Sequence, residues 1–140
     1  MHRLVREPLD CARIMASVTA PGAGAVCVFV GTVRNHNEGR SVLRIEYEAY
    51  EEMALEQLAA VEAEIHQRFP VTGVAIVHRL GLLEVGEASV VVAVSTGHRD
   101  EGFAACRYGI DRIKELVPIW KKEFTDSGAS WVGMQVRTSW

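Results

Sequence analysis

Cysteine is scarce and unpaired in this chain: Cys11, Cys27 and Cys106 are odd in number and follow no paired spacing. Such a set excludes a disulfide framework and reads as reduced thiols, so a cytoplasmic protein is expected. Long apolar runs are missing too. The longest, AVCVFV and VVVAV, fall far short of the roughly 20 residues a bilayer span needs. The opening stretch, MHRLVREPLDCARIMASV, carries charges throughout, so no signal peptide is expected there. Positive charge is not in excess. The net charge is −3 and the pI near 5.9, and no aromatics alternate with basic residues, which disfavours a nucleic-acid binder. HExxH, CxxC, zinc-spaced Cys/His sets, a P-loop and G-x-G-x-x-G are all absent, as are repeats and low-complexity tracts.

What remains is 140 residues with 49% hydrophobic and 24% charged side chains, the profile of one soluble globular domain over residues 1–140. Leu9, Ile14 and Val18 share the face of a short helix that Pro21 and Gly22 stop. AVCVFVGTVR is apolar on both alternating faces and reads as a strand buried on both sides. NHNEGRS reads as a polar, mobile loop. VLRIEYEAY sets Leu43, Ile45, Tyr47 and Ala49 against Arg44, Glu46 and Glu48, a half-exposed strand.

Ala54, Leu58, Val61, Ile65 and Phe69 form one helical stripe that Pro70 ends. GVAIVHRLGLLEVGEASVVVAVST reads as two strands around a turn at Gly86. A last helix is expected from about Glu101 to Val117, with Phe103, Cys106, Ile110, Ile113 and Val117 inward, then a strand near SWVGMQV. The order α, β, β, α, β, β, α, β implies an α+β sandwich with a mixed, mostly antiparallel sheet and two main helices.

Polar chemistry collects at the element ends. Pro118 would clash with the carbonyl of Lys114, so the helix should stop near Val117 and leave Lys114 in its last turn. There a cation also simply suits the helix dipole, which is the plain alternative to a functional role. Ile119 and Trp120 must pack, which draws Lys121 toward the protein body, where a desolvated ammonium becomes an acid or base near neutral pH. Lys122 is equally well read as a solvated charge. Arg34, His98 and Arg99 lie just beyond strands, the last two at a helix entry that favours anions. With the lysines they suggest an anionic-substrate site. Cys27 and Cys106 read as small core residues, and His78 as a packing or hydrogen-bonding residue.

The segments FVGTVRNHNEG, YEAYEEMA, VHRLGLLEVGE, STGHRDEGFAAC and IDRIKELVPIWKKE, in this order from about Ala25 to Glu123, resemble the large, catalytic subunit family of molybdopterin synthase. The resemblance implies an α/β hammerhead fold. It implies a sulfurtransferase that converts cyclic pyranopterin monophosphate (precursor Z) to molybdopterin by building a dithiolene. Sulfur would come from the C-terminal glycine thiocarboxylate of a small ubiquitin-like partner, with a homodimer of this chain at the core of a heterotetramer. It implies Lys114 and Lys121 as catalytic residues. The substrate pocket would comprise Arg34, His98, Arg99, Lys114 and Lys121, with Thr32, Val33, Lys122 and Glu123 alongside. No metal or cofactor is implied, because the nucleophile arrives on the partner. The competing reading is a non-catalytic module that docks a ubiquitin-like tail. It would lack a pterin-sized pocket with an arginine-lined phosphate end beside the lysines.

Overall fold

A computed structural model describes residues 1–132. Ten strands and three helices follow one another as β1 (His2–Val5), α1 (Cys11–Ser17), β2 (Ala25–Thr32), β3 (His36–Asn37), β4 (Arg40–Ser41), β5 (Arg44–Ala49), α2 (Glu51–Arg68), β6 (Val71–Arg79), β7 (Gly81–Glu84), β8 (Ala88–Thr96), α3 (Arg99–Leu116), β9 (Ile119–Thr125) and β10 (Gly128–Val132). One four-stranded sheet runs β1-β6-β8-β2 and another β10-β9-β5-β7, with β3 and β4 pairing as a separate ribbon. Among the described residues only β1 with β6 is parallel, and the other pairings are antiparallel. The α+β class, the mixed and mostly antiparallel pairing and the two long helices agree with the sequence reading.

The main core lies between the first sheet and the long helices. Ala54, Leu58, Val61 and Ile65 of α2 meet Ala105, Cys106, Ile110 and Ile113 of α3 over Val74, Ile76, Val90, Val92 and Val94. The α2 stripe is the one its apolar spacing predicts. Helix α3 differs at one position: Phe103 is 64% exposed, while Gly102 and Gly109 are buried. A Cβ on Gly109 would come within 3.0 Å of Ile65 Cδ1, and one on Gly102 within 2.7 Å of Cys27 Sγ. The contact stripe therefore follows the small residues, which let α3 lie close to the sheet. On the sheet's other face, Ile14 and Val18 cover Ala75, Val77, Val91 and Ala93, with Leu9 partly buried beside them.

Three expectations need correction. Strand β2 is not buried on both sides: Val28 and Val30 are 36% and 38% exposed, because among the described residues β2 is a sheet edge and α1 is too short to cover that face. The GVAIVHRLG… segment makes three strands, not two. Gly81, at φ +97°, breaks the run, sending β6 to the first sheet and β7 to the second. The NHNEGRS segment is not a plain loop but contains the β3–β4 ribbon. Strand β1 was not anticipated. β10 matches the start of the strand expected near SWVGMQV; the rest of that segment lies outside the described residues.

Candidate functional site

Helix α3 stops where Pro118 requires. Its cap, Val117, has left helical geometry at φ −84°, ψ 124°, and Lys114 sits in the last turn. The chain then enters β9 at Ile119 instead of continuing as an irregular segment. Strand alternation sorts β9's side chains. Lys121 and Glu123 point inward, at 4% and 1% exposure. Lys122 lies on the other face, its ammonium 5.3 Å from the ring centroids of both Phe124 and Trp131. Ile119 packs against the core as expected, and because it precedes Lys121 by two residues on one strand, the pleat carries Lys121 inward with it; Trp120, on the other face, packs edge-on against Tyr50.

Lys121 Nζ stands 3.7 Å from Glu123 Oε2, an ion pair nearly out of solvent. Burial drives the Lys121 pKa below the ordinary lysine value. The Glu123 charge pulls it back up, whereas Arg34 and, more weakly, Lys114 push it further down. These influences place Arg34, Lys114 and Lys121 within electrostatic reach of one another. Lys114, half-buried, is also shifted below the usual lysine range, first by burial, with Asp111 opposing. Three cations, on the α3 end, β9 and the segment after β2, thus act on one another electrostatically beside one buried carboxylate, with Arg34 exposed and Lys121 buried. The excess positive charge suits an anion, and the depressed lysines suit proton transfer.

The other residues marked in the sequence are distributed as follows. Thr32 is exposed at the end of β2, next to a register shift between Gly31 and Thr32. The Val33 side chain is 2% exposed and packs with Val42, Ile45, Tyr47, Leu80 and Leu83, so it supports the site from the core. His98 is the N-cap of α3 and Arg99 its first residue, both exposed. At 1.5 Å rise per residue, Arg99 stands roughly 22 Å along the helix from Lys114. Within one chain these two do not join the lysines. Two residues the sequence did not single out do join. Asn37 Nδ2 donates to Glu123 Oε2 at 2.8 Å, and Arg40 Nη2 donates to Glu123 Oε1 at 3.4 Å. The signal available for them was the Glu38-Gly39 pair, a turn dipeptide between polar residues.

The cysteines and His78 behave as packing residues. Cys27 and Cys106 are buried free thiols. Burial raises both pKa values, Cys106 to about 11, where Cys27 adds to the shift. His78 is fully buried, its ring edge-on to Tyr47 at 5.2 Å and its Nδ1–H donating to the Arg79 carbonyl at 2.8 Å. Burial lowers its pKa to about 4, so it is neutral near pH 7. Among the described residues, no group of His, Cys, Asp and Glu side chains could hold a metal ion, and no helix is long and apolar enough to cross a membrane.

Fold and site together define an α+β protein with a cluster of cationic side chains, Lys121 buried and Arg34 exposed, whose charge suits an anion. Comparison with known proteins makes the class specific. Residues 4–116 match the model of the MoaE protein family. The chain is 44% identical over 136 residues to the molybdopterin synthase catalytic subunit of Bacillus subtilis (strain 168), covering 97% of this chain and 87% of that one. It is 43% identical over 127 residues to the human molybdopterin synthase catalytic subunit, covering 91% and 68%. Among solved structures, molybdopterin synthase from Staphylococcus aureus superposes with a TM-score of 0.88 at 40% identity, over 93% of this chain and 95% of that one. The MoaE protein from Burkholderia ambifaria MC40-6 gives 0.83 at 35% identity, over 99% and 92%. This chain belongs to the MoaE family, the family of molybdopterin synthase catalytic subunits.

Proposed function

We propose that this chain is a cytoplasmic molybdopterin synthase catalytic subunit, a sulfurtransferase. It converts cyclic pyranopterin monophosphate to molybdopterin with sulfur from the C-terminal thiocarboxylate of a small ubiquitin-like partner. The observation that carries the reading is the near-complete burial of Lys121 beside Glu123, within the field of Arg34 and Lys114. Lys121 is buried while Arg34 is exposed and Lys114 half-buried, so the cations run from solvent inward and draw an anion toward the least screened of them. Both partners in the reaction are anions: the substrate through its phosphate, the partner through its tail.

The roles divide by chemistry. Arg34 binds phosphate, since a guanidinium presents paired donors to phosphate oxygens. Lys114 and Lys121 orient the thiocarboxylate and carry protons as sulfur adds to the pterin side chain, a task their lowered pKa values favour. Thr32, Lys122 and Glu123 border the pocket, and Val33 backs it. His98 and Arg99 complete the phosphate end from a second copy of this chain, because their own lysines are too far along α3. The position of β2 at a sheet edge among the described residues, with Val28, Val30 and Phe103 exposed, supports such a homodimer. Each dithiolene needs two sulfur atoms, so each product consumes two thiocarboxylates.

The test mixes the purified chain, a thiocarboxylated small subunit and the cyclic pterin phosphate, and assays molybdopterin. Product that depends on the thiocarboxylate is expected. A stable complex with the small subunit but no product would establish the docking-module reading instead.

A further inference from the structure

The β3–β4 ribbon sits beside the buried ion pair, and its geometry singles out one residue. Glu38 and Gly39 have φ of +51° and +78°. Two consecutive left-handed residues in a two-residue loop make a type I′ turn, the tightest hairpin connection. This turn sets Asn37 directly opposite Arg40. Opposed residues of a ribbon project on the same face, and here both side chains reach Glu123. Asn37 Nδ2 takes Oε2 at 2.8 Å and Arg40 Nη2 takes Oε1 at 3.4 Å. Oε2 is also the oxygen 3.7 Å from Lys121 Nζ. On its other side, the Asn37 carbonyl oxygen accepts from Arg34 Nη2 at 3.5 Å. The amide's orientation follows from its neighbours. A carboxylate only accepts and a guanidinium only donates, so the amide must turn its NH2 to Glu123 and its oxygen to Arg34.

We propose that Asn37 is a positioning residue: a single amide that fixes the Glu123 carboxylate against Lys121 and couples that pair to Arg34. This rests on the molybdopterin synthase reading above. At 1% exposure Glu123 has little water to turn to, so the hairpin's donors decide where its charge points. Groups from several elements act on Lys121: Glu123 on its own strand, Arg34 after β2 and Lys114 on α3. Of these, only Glu123 holds the ammonium in its charged form. Losing the amide frees Oε2 from its short donor, so of the ribbon's two donors only Arg40 still holds the carboxylate, by its other oxygen, and Oε2 is no longer fixed against Lys121. Lys121 then loses its proton more readily, and Arg34 loses its register with the lysines.

The experiment compares wild type, Asn37→Ala and Asn37→Ser in the complete reaction with thiocarboxylated partner and cyclic pterin phosphate. In parallel, the titration of Lys121 is followed by lysine-selective NMR, its signal assigned with Lys121→Met. Both variants are expected to keep the wild-type thermal midpoint within a few degrees. They should lose roughly ten- to hundred-fold in kcat/KM, the scale of one charge-assisted hydrogen bond, and titrate Lys121 at lower pH than wild type. Wild-type turnover and an unmoved Lys121 titration in both variants would overturn the proposal while leaving the function standing. Wild-type protein that makes no molybdopterin would overturn both.

Discussion

Glu123→Ala removes the one carboxylate that faces Lys121 on β9, and its consequences can be worked from the ion pair itself. The two side chains are 4% and 1% exposed and 3.7 Å apart. Breaking a buried pair by deleting one partner costs about 3–5 kcal/mol, chiefly because the remaining charge is stranded. Lysine has an escape, since it can lose its proton. Neutralising it at pH 7 costs about 1.36 kcal/mol for each of the roughly 3.4 pH units below its ordinary pKa, which caps that part of the penalty near 4.6 kcal/mol.

The sign of the pH dependence follows. The folded-state pKa of Lys121 already lies below its unfolded value, and removing Glu123 lowers it further, because burial, Arg34 and Lys114 remain. Between the lowered folded value and the unfolded one, the unfolded chain binds more protons, so stability rises with pH. The deficit of Glu123→Ala relative to wild type should therefore be about 3–4 kcal/mol at pH 7 and shrink toward pH 10. Urea unfolding at pH 7, 8.5 and 10 reads it directly, and Lys121→Met/Glu123→Ala should show no such pH-dependent part. A Glu123→Ala protein as stable as wild type at pH 7, or with a deficit that does not change with pH, would refute this electrostatic account.

Arg34→Ala should raise the dissociation constant for the cyclic pterin phosphate about tenfold or more, with partner binding retained; unchanged calorimetric affinity would place the phosphate elsewhere. His78 is neutral when folded, with its pKa lowered to about 4. Its contribution to stability is therefore lost as pH falls from about 6.5 toward 4, by roughly 3 kcal/mol, and His78→Phe should flatten that part of the stability profile in urea titrations. With Cys106 pushed up to about 11 and Cys27 also raised by burial, a thiol reagent at pH 7.5 should label the more exposed Cys11 first, as peptide mass spectrometry would show.

What the sequence made legible depended on where each signal resides. Helix α2 was readable because its stripe and its stop at Pro70 are local. The end of α3 was readable because a proline ring acts on a carbonyl four positions earlier. Strand β2 misled because apolar alternation shows that a strand favours burial, not whether its sheet has another strand or helix to cover it. Phe103 misled for a related reason: Gly102 and Gly109 carry the contact, and apolar periodicity does not score glycine. The split of β6 from β7 turned on one positive φ at Gly81. At the site, the cationic residues were visible as residue types near element ends. Their grouping was not, because β9 pairing with β5 and the β3–β4 ribbon bring Glu123, Asn37 and Arg40 together across long sequence separations. Arg99 and Lys114 share one helix, which is why one chain holds them apart.

The most direct measurement of the central claim assays molybdopterin from wild type, Lys114→Ala and Lys121→Ala side by side, with thiocarboxylated small subunit and cyclic pterin phosphate, while the partner's affinity is measured for each protein. The account predicts product from wild type and its near-complete loss in both variants, with partner affinity largely retained. Wild-type rates in the two lysine variants would contradict it and return both lysines to helix capping and packing.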